Sequence, residues 1–277
     1  MTLLVALLLG ILQGATEFLP ISSSGHLAFA QQLLGLSEGM LVFDVTVHVG
    51  TLLAIGWVLR ARLLSLATAG LALLARRAGD AALRADQRLI GLVVVASIPT
   101  ACIGFALKGA VETWMTQMIY LAPAFLTTAA LLVLSERLGA RRRGAGDLTV
   151  VDALFVGLVQ GFAVIPGISR AGATVASALV RDVDATTAVE FSLLISLPAV
   201  AGAGLLAGIE VLESGVPVEP ASLAVGFAAA LATGIAAVRV LQWAVGRRHL
   251  LPFAIYCALL GATALALGAR TGAATLG

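Results

Sequence analysis

Apolar residues run along most of this chain in long blocks, broken by short polar and cationic intervals. A membrane span needs about 20 apolar residues to cross about 30 Å of hydrocarbon. Six runs reach or approach that length: Leu41–Leu59, Leu89–Leu107, Met118–Leu134, Phe191–Ile209, Leu223–Val238 and Leu251–Leu267. Three other stretches are shorter or interrupted. Leu3–Leu19 carries Gln13 and Glu17 and stops at Pro20, while Val150–Ile165 carries Asp152 and Gln160 and stops at Pro166. Leu63–Ala75 lies between arginine pairs and reads as an interfacial or short buried helix.

Composition agrees with that pattern. Of 277 residues, 60% are hydrophobic and only 12% charged, with a mean hydropathy of +1.05. So few charges cannot coat a soluble surface, where about 25% is usual, so a water-soluble globule is excluded. The apolar excess equally excludes a disordered chain. The formal net charge of +2 does not mark a nucleic-acid binder, because the cations sit between the spans. Arg60, Arg62, Arg76, Arg77, Arg84 and Arg88 form one cluster, Arg137, Arg141, Arg142 and Arg143 a second, and Arg239, Arg247 and Arg248 a third. The positive-inside rule puts all three in the cytoplasm. The loop at 210–222, with Glu210, Glu213 and Glu219 and no cation, reads as external. Cys102 and Cys257 lie inside apolar runs and build no disulfide framework. The N-terminus lacks the basic region and small-residue cleavage site of a signal peptide, so no cleavable signal is expected.

With these assignments, position 40 is external and positions 147 and 190 are internal. The segment between 147 and 190 must therefore enter the membrane and return, and residues 1–39 do the same from the opposite face. A shift of 147 residues aligns the two interrupted stretches: Gly10-Ile-Leu-Gln13-Gly14 with Gly157-Leu-Val-Gln160-Gly161, and Ile21-Ser22-Ser23-Ser24-Gly25 with Ile168-Ser169-Arg170-Ala171-Gly172. The expected architecture is an all-α polytopic membrane protein built as an inverted-topology repeat in one membrane domain. Residues 1–147 form the first repeat, a re-entrant hairpin at about 3–34 followed by three spans. Residues 148–277 form the second, with its hairpin at about 150–180 and three spans. Such repeats place their functional site near the midplane, where broken helices meet.

Ionisable side chains inside membrane segments are costly and mark function. Glu17, His26 and Arg170 are three, and Gln13, Thr16, Ser22, Ser23, Ser24, Ser169 and Thr174 lie around them. Each hairpin reads as helix, break, helix, with breaks at Phe18-Leu19-Pro20-Ile21 and Pro166-Gly167. Ser22–Ser24 and Ser169 are offered as N-caps of the returning half-helices. Half-helices of about 10–15 residues rise about 15–22 Å, which brings their tips to mid-membrane. Two helix N-termini aimed at one cavity, with an arginine fork beside them, make a site for phosphate. A purely structural Glu17–Arg170 ion pair, with serines that only cap helices, is the plainer alternative. Asp44 and His48, at i and i+4, read as an interfacial pair rather than a metal site, and Glu190, just before a span, as a helix-terminal or interface residue. On these features alone a secondary transporter or lipid-phosphate flippase would use the same anion site.

The tip residues also carry a family resemblance. Gln13-Gly-Ala-Thr-Glu17-Phe-Leu-Pro20-Ile-Ser-Ser-Ser-Gly25-His26 resembles the first signature of the bacterial undecaprenyl pyrophosphate phosphatases, the bacitracin-resistance proteins. Pro166-Gly167-Ile-Ser169-Arg170-Ala171-Gly172-Ala-Thr174 resembles the second, Pro-Gly-x-Ser-Arg-Ser-x-x-Thr, with Ala171 in place of its second serine. The likeness extends along essentially the whole chain, including Glu190-Phe-Ser-Leu-Leu-Ile-Ser-Leu-Pro198.

The resemblance implies an integral membrane phosphatase that converts undecaprenyl pyrophosphate to undecaprenyl phosphate. It also implies a place in the bacterial inner membrane, a site opening to the periplasm, and a role in recycling the lipid carrier for peptidoglycan. The implied partners are a polyprenyl pyrophosphate lipid and the surrounding membrane lipids, with no nucleic acid; a homodimer stays open. Glu17, Ser23, His26 and Arg170 are the expected catalytic residues, and Gln13, Ser22, Ser24, Gly167, Ser169 and Thr174 the expected substrate-binding ones. Ser23 with His26 three residues on is the expected nucleophile and base. Spacing also admits Ser22, Ser24 or His26 itself as nucleophile. Glu17 could orient His26, move a proton, or hold Mg²⁺ or Ca²⁺. Gln13 cannot supply the second carboxylate of a two-carboxylate metal site.

Overall fold

The computed structural model of the protein describes residues 1–36, 40–76, 79–115, 118–214 and 219–274. The described residues form α-helices and a single 3₁₀ turn, with no β-strand. In chain order they are α1 (Leu3–Phe18), α2 (Ser23–Leu33), α3 (Leu41–Val58), α4 (Arg60–Leu74), α5 (Ala81–Met115), α6 (Met118–Arg137), α7 (Val150–Phe162), α8 (Arg170–Val180), α9 (Ala185–Ser214), α10 (Pro220–Gly246) and α11 (Leu251–Ala274). Within the expected acidic loop at 210–222, residues 215–218 lie outside the described residues, as does the join at 37–39.

Among the described residues, four helices are long and apolar enough to cross a membrane: Leu41–Val58, Ala81–Val111, Ala185–Ile209 and Pro220–Gly246. They correspond to four of the six expected spans. The other two expected spans also form helices, α6 and α11, which pack along one another. The apolar stretch between the arginine pairs is α4, a surface helix that leaves Leu64, Leu71 and Leu74 exposed.

The two interrupted stretches fold as two pairs of short helices. α1 and α2 flank a break at residues 19–22, and α7 and α8 flank one at 163–169. Local chemistry sets their ends. Thr2 accepts the Val5 N–H at the start of α1, Thr149 and Asp152 form a capping box on α7, and Ser169 caps α8 by accepting the Gly172 N–H. Each pair is packed on the opposite half of the chain: α1 lies along α10, and α7 along α5. Small residues permit the close approach. A Cβ at Gly14 would collide with the Ala230 carbonyl and the Thr233 hydroxyl, and one at Gly157 with the Ala96 carbonyl. Buried apolar side chains of α3, α5, α8, α9 and α10, among them Ile55, Leu92, Leu179, Phe191 and Leu241, fill the space between these pairs.

Pro99, Pro123 and Pro198 lie inside α5, α6 and α9. Proline removes a backbone bond and kinks a helix, which leaves carbonyls to be answered by neighbours. Gln160 packs beside the Pro198 kink: its Nε2 donates to the Ile195 carbonyl at 3.2 Å and to Thr100 Oγ1 at 3.2 Å.

Several loop cations are structural ties. Asp152, buried at the base of the second pair, accepts from Arg143 Nη2 at 2.5 Å and Arg181 Nε at 2.8 Å. Arg62 on α4 donates to Glu190 at 2.6 Å and Asp86 at 2.5 Å. Of the two readings of Glu190 the structure favours the interface one: it sits in the second turn of α9, where it meets Arg62 of α4.

Candidate active site

The last two turns of α1 carry Gln13, Thr16 and Glu17 into the protein interior. Residues four apart share a helix face, so Gln13 Nε2 donates to Glu17 Oε2 at 2.9 Å. The chain then breaks at Pro20. Ser22 adopts a left-handed φ of 71°, which turns the chain and starts α2 at Ser23. That turn brings the Ser23 hydroxyl back to Glu17, donating to Oε2 at 2.5 Å. Arg170, the first residue of α8, donates from Nη2 to Glu17 Oε1. His48 of α3 completes the surroundings, with Nε2 3.9 Å from Oε2. A buried carboxylate is stable only when paired and hydrogen-bonded; Glu17, with its side chain 6% exposed, has both.

The two breaks meet. The Gly167 N–H donates to Ser22 Oγ at 3.2 Å. Gly167 has φ +96°, and a Cβ there would come within 2.8 Å of Ala124 Cβ, so only glycine fits. Thr128 of α6 braces the second tip, donating to the Gly167 carbonyl at 3.1 Å and accepting the Ser169 N–H at 2.9 Å. Ser24 Oγ lies 3.4 Å from Ser22 Oγ. Thr174 turns away from the tips: its hydroxyl donates to the Arg170 carbonyl at 2.8 Å and shares a 2.5 Å bond with Ser192. It holds α8 against α9.

Three expected pairings are not the ones the structure makes. Ser22 occupies the N-cap position of α2 without capping it, because its left-handed backbone points the hydroxyl across to Gly167. Ser23 is bonded to Glu17 rather than to His26. His26 lies one turn into α2, where Nδ1 donates back to the Ser22 carbonyl at 2.7 Å and Nε2 accepts from the Tyr256 hydroxyl at 2.7 Å. Its ring stacks on Tyr256, centroids 5.6 Å apart, and meets Phe125 edge-on. Glu17 likewise does not orient His26; its histidine neighbour is His48.

A divalent cation fits these residues poorly. Glu17 is the carboxylate at the tips, and its charge is already answered by Arg170 while Gln13 and Ser23 occupy its other oxygen. Among the described residues no three His, Cys, Asp or Glu side chains group as ligands. An anion fits better. The first turn of a helix leaves N–H groups without partners inside the helix, α2 and α8 both begin here, and Arg170 stands between them.

Sequence reasoning gave no site role to His48, Tyr256 or Thr128. His48 carried a signal, a histidine in an apolar span, but its i, i+4 spacing to Asp44 suggested a local pair. The structure joins them differently, through His48 Nδ1 and the Asp44 backbone carbonyl at 2.7 Å. Tyr256 lies 230 residues from His26, and no local pattern ties them.

Comparison with known proteins places these features in a family. The family model described as bacitracin resistance protein BacA matches residues 6–263. The chain is 40% identical over 262 residues to the undecaprenyl-diphosphatase of Syntrophotalea carbinolica, covering 94% of this chain and 97% of that protein. It is 39% identical over 268 residues to that of Rubrobacter xylanophilus, with 96% and 98% covered. Likeness to that of Methanobrevibacter smithii is 35% over 269 residues, with 94% and 96% covered.

Proposed function

The chain belongs to the bacitracin resistance protein BacA family, and from that membership and the site we propose that it is a membrane undecaprenyl-diphosphatase. It removes the terminal phosphate of undecaprenyl pyrophosphate, returns the monophosphate carrier to peptidoglycan synthesis, and thereby confers bacitracin resistance. One observation carries the chemistry: Ser23 donates its hydroxyl at 2.5 Å to a buried carboxylate that Arg170 also engages, where two broken helix pairs meet.

A weak nucleophile needs a base within hydrogen-bond reach, and Glu17 is that base for Ser23. As Ser23 Oγ bonds to the terminal phosphorus, its proton passes to Glu17. The bridging P–O bond breaks, and undecaprenyl phosphate leaves with the electron pair. Water then hydrolyses the phosphoserine and releases phosphate. Phosphoryl transfer depends mainly on positioning and charge neutralisation. Arg170 supplies a forked cation for the phosphoryl oxygens, and the first turns of α2 and α8 supply N–H groups. Gln13 fixes Glu17, while Ser22, Gly167 and Ser169 shape the junction. His26, with both ring nitrogens held by Ser22 and Tyr256, is not bonded to Ser23 and orients the turn that carries it.

The architecture we propose is the inverted repeat of residues 1–147 and 148–277, in the bacterial inner membrane with the site opening to the periplasm. Three things support it: the alignment at a fixed offset, the three cationic clusters, and the exchanged packing of α1 on α10 and α7 on α5. The test is phosphate release from undecaprenyl pyrophosphate by the purified protein in detergent, with and without chelator. Steady release is expected. Intact lipid in detergent, together with movement of the lipid between leaflets of a vesicle, would favour a transporter instead.

A further inference from the structure

The catalytic reading leaves Glu17 holding a proton in a nearly closed site. Its own oxygens face Arg170, Ser23 and Gln13, and none of these can take the proton onward. Arg170 is a permanent cation, the Gln13 amide group that faces Glu17 is a donor, and Ser23 is by then esterified. Undecaprenyl pyrophosphate hydrolysis near neutral pH also liberates acid, so a proton must reach solvent in each turnover.

Among the described residues, His48 is the other titratable group beside Glu17. Its Nδ1 lies 2.7 Å from the Asp44 backbone carbonyl, which can only accept, so Nδ1 carries the ring hydrogen. Nε2 therefore presents a lone pair, and it faces Glu17 Oε2 at 3.9 Å. Two acceptors set against each other across that gap are a place for a shared proton. The two side chains also differ in access: Glu17 is 6% exposed and His48 34%. The charged groups facing His48 are Glu17, across from α1, and Asp44, one turn earlier on its own helix.

Resting on the Ser23–Glu17 reading, we propose that His48 is a proton relay acting through Glu17, carrying the serine proton from the closed site to solvent. When the Ser23 O–H bond breaks and the O–P bond forms, the proton goes to Glu17 Oε2 and then to His48 Nε2. The resulting imidazolium gives it up to water. The transfer runs outward because Arg170 is ion-paired with Glu17 while Nε2 of His48 presents a free lone pair. The direction of flow follows from the residue types and their exposure.

The experiment measures phosphate release from undecaprenyl pyrophosphate in detergent for wild type, His48→Ala, His48→Gln and Glu17→Gln. Glutamine keeps a hydrogen-bonding side chain but cannot carry a proton. Both His48 variants should lose about 10²-fold in kcat with KM within about threefold of wild type. Added imidazole should restore much of the kcat of His48→Ala, and sodium chloride at equal ionic strength should not. Wild-type kcat in either His48 variant overturns the relay, as does a loss shared equally by KM and not answered by imidazole. Glu17→Gln separates the two readings: it should be inactive with or without imidazole. Full activity there would overturn the catalytic reading of Glu17 itself, whatever His48 does.

Discussion

At the scale of single residues, the site turns on Glu17 and the groups that crowd it. Removing one preorganised donor from a phosphoryl or oxyanion site typically costs about 10²–10³-fold in rate, and Arg170→Ala is expected to lose at least that in kcat. Arg170→Lys should also be impaired, since a point charge cannot reproduce the fork; steady-state kinetics in detergent checks both. Ser23→Ala and Glu17→Gln should each lose about 10³-fold or more, and the double variant should be little worse than either. Members of one catalytic unit are strongly non-additive, so multiplied losses would show that the two act apart. Most of these residues could be read from sequence, because a carboxylate, an imidazole and a guanidinium in apolar segments have few structural excuses. What spacing could not give was the partner of each. The i, i+3 relation of Ser23 and His26 suggested a pair, yet the left-handed Ser22 aims the serine at Glu17 and leaves the imidazole to Tyr256.

The helices show where such readings hold and where they fail. Both short pairs were legible, since Pro20 and Pro166 end apolar stretches too short to span and serines follow each break, of which Ser169 caps its helix. The bracing of the second tip by Thr128 was not, because it depends on α6 arriving beside Gly167. Two substitutions separate tip from base. Gly167→Ala forces a side chain into a left-handed position against Ala124, so it should distort the Ser22–Gly167 contact and cut kcat more than it lowers thermal stability. Asp152→Ala should do the reverse. It leaves Arg143 and Arg181 without their shared carboxylate, and loss of one buried partner costs on the order of 3 kcal/mol, near the low end because both arginines are partly exposed. Thermal unfolding in detergent beside kcat for the surviving folded fraction reads both. Equal effects on Tm and kcat in the two variants would contradict this division.

At the scale of the molecule, six apolar runs and three cationic clusters carried the membrane reading, and the helices follow those runs because the bilayer length and hydrophobic pattern impose them. The pairing of opposite halves through glycine faces was less visible, since Gly14 and Gly157 resemble many other glycines until α10 and α5 lie against them. Orientation is checked by cysteine labelling in a background lacking Cys102 and Cys257. Cysteines at Leu36 and Glu219 should react from outside and one at Gly144 only from inside; external labelling at Gly144 would break the inverted repeat. The central claim is that Ser23, activated by Glu17 at the junction of the two broken pairs, takes the terminal phosphate of the lipid. It is tested most directly by rapid acid quench of the purified protein with undecaprenyl pyrophosphate labelled in its terminal phosphate. Transient label on Ser23 in the wild type, absent from Ser23→Ala, is the expected result. Turnover with no labelled protein at any time, or a labelled and active Ser23→Ala protein, would contradict it.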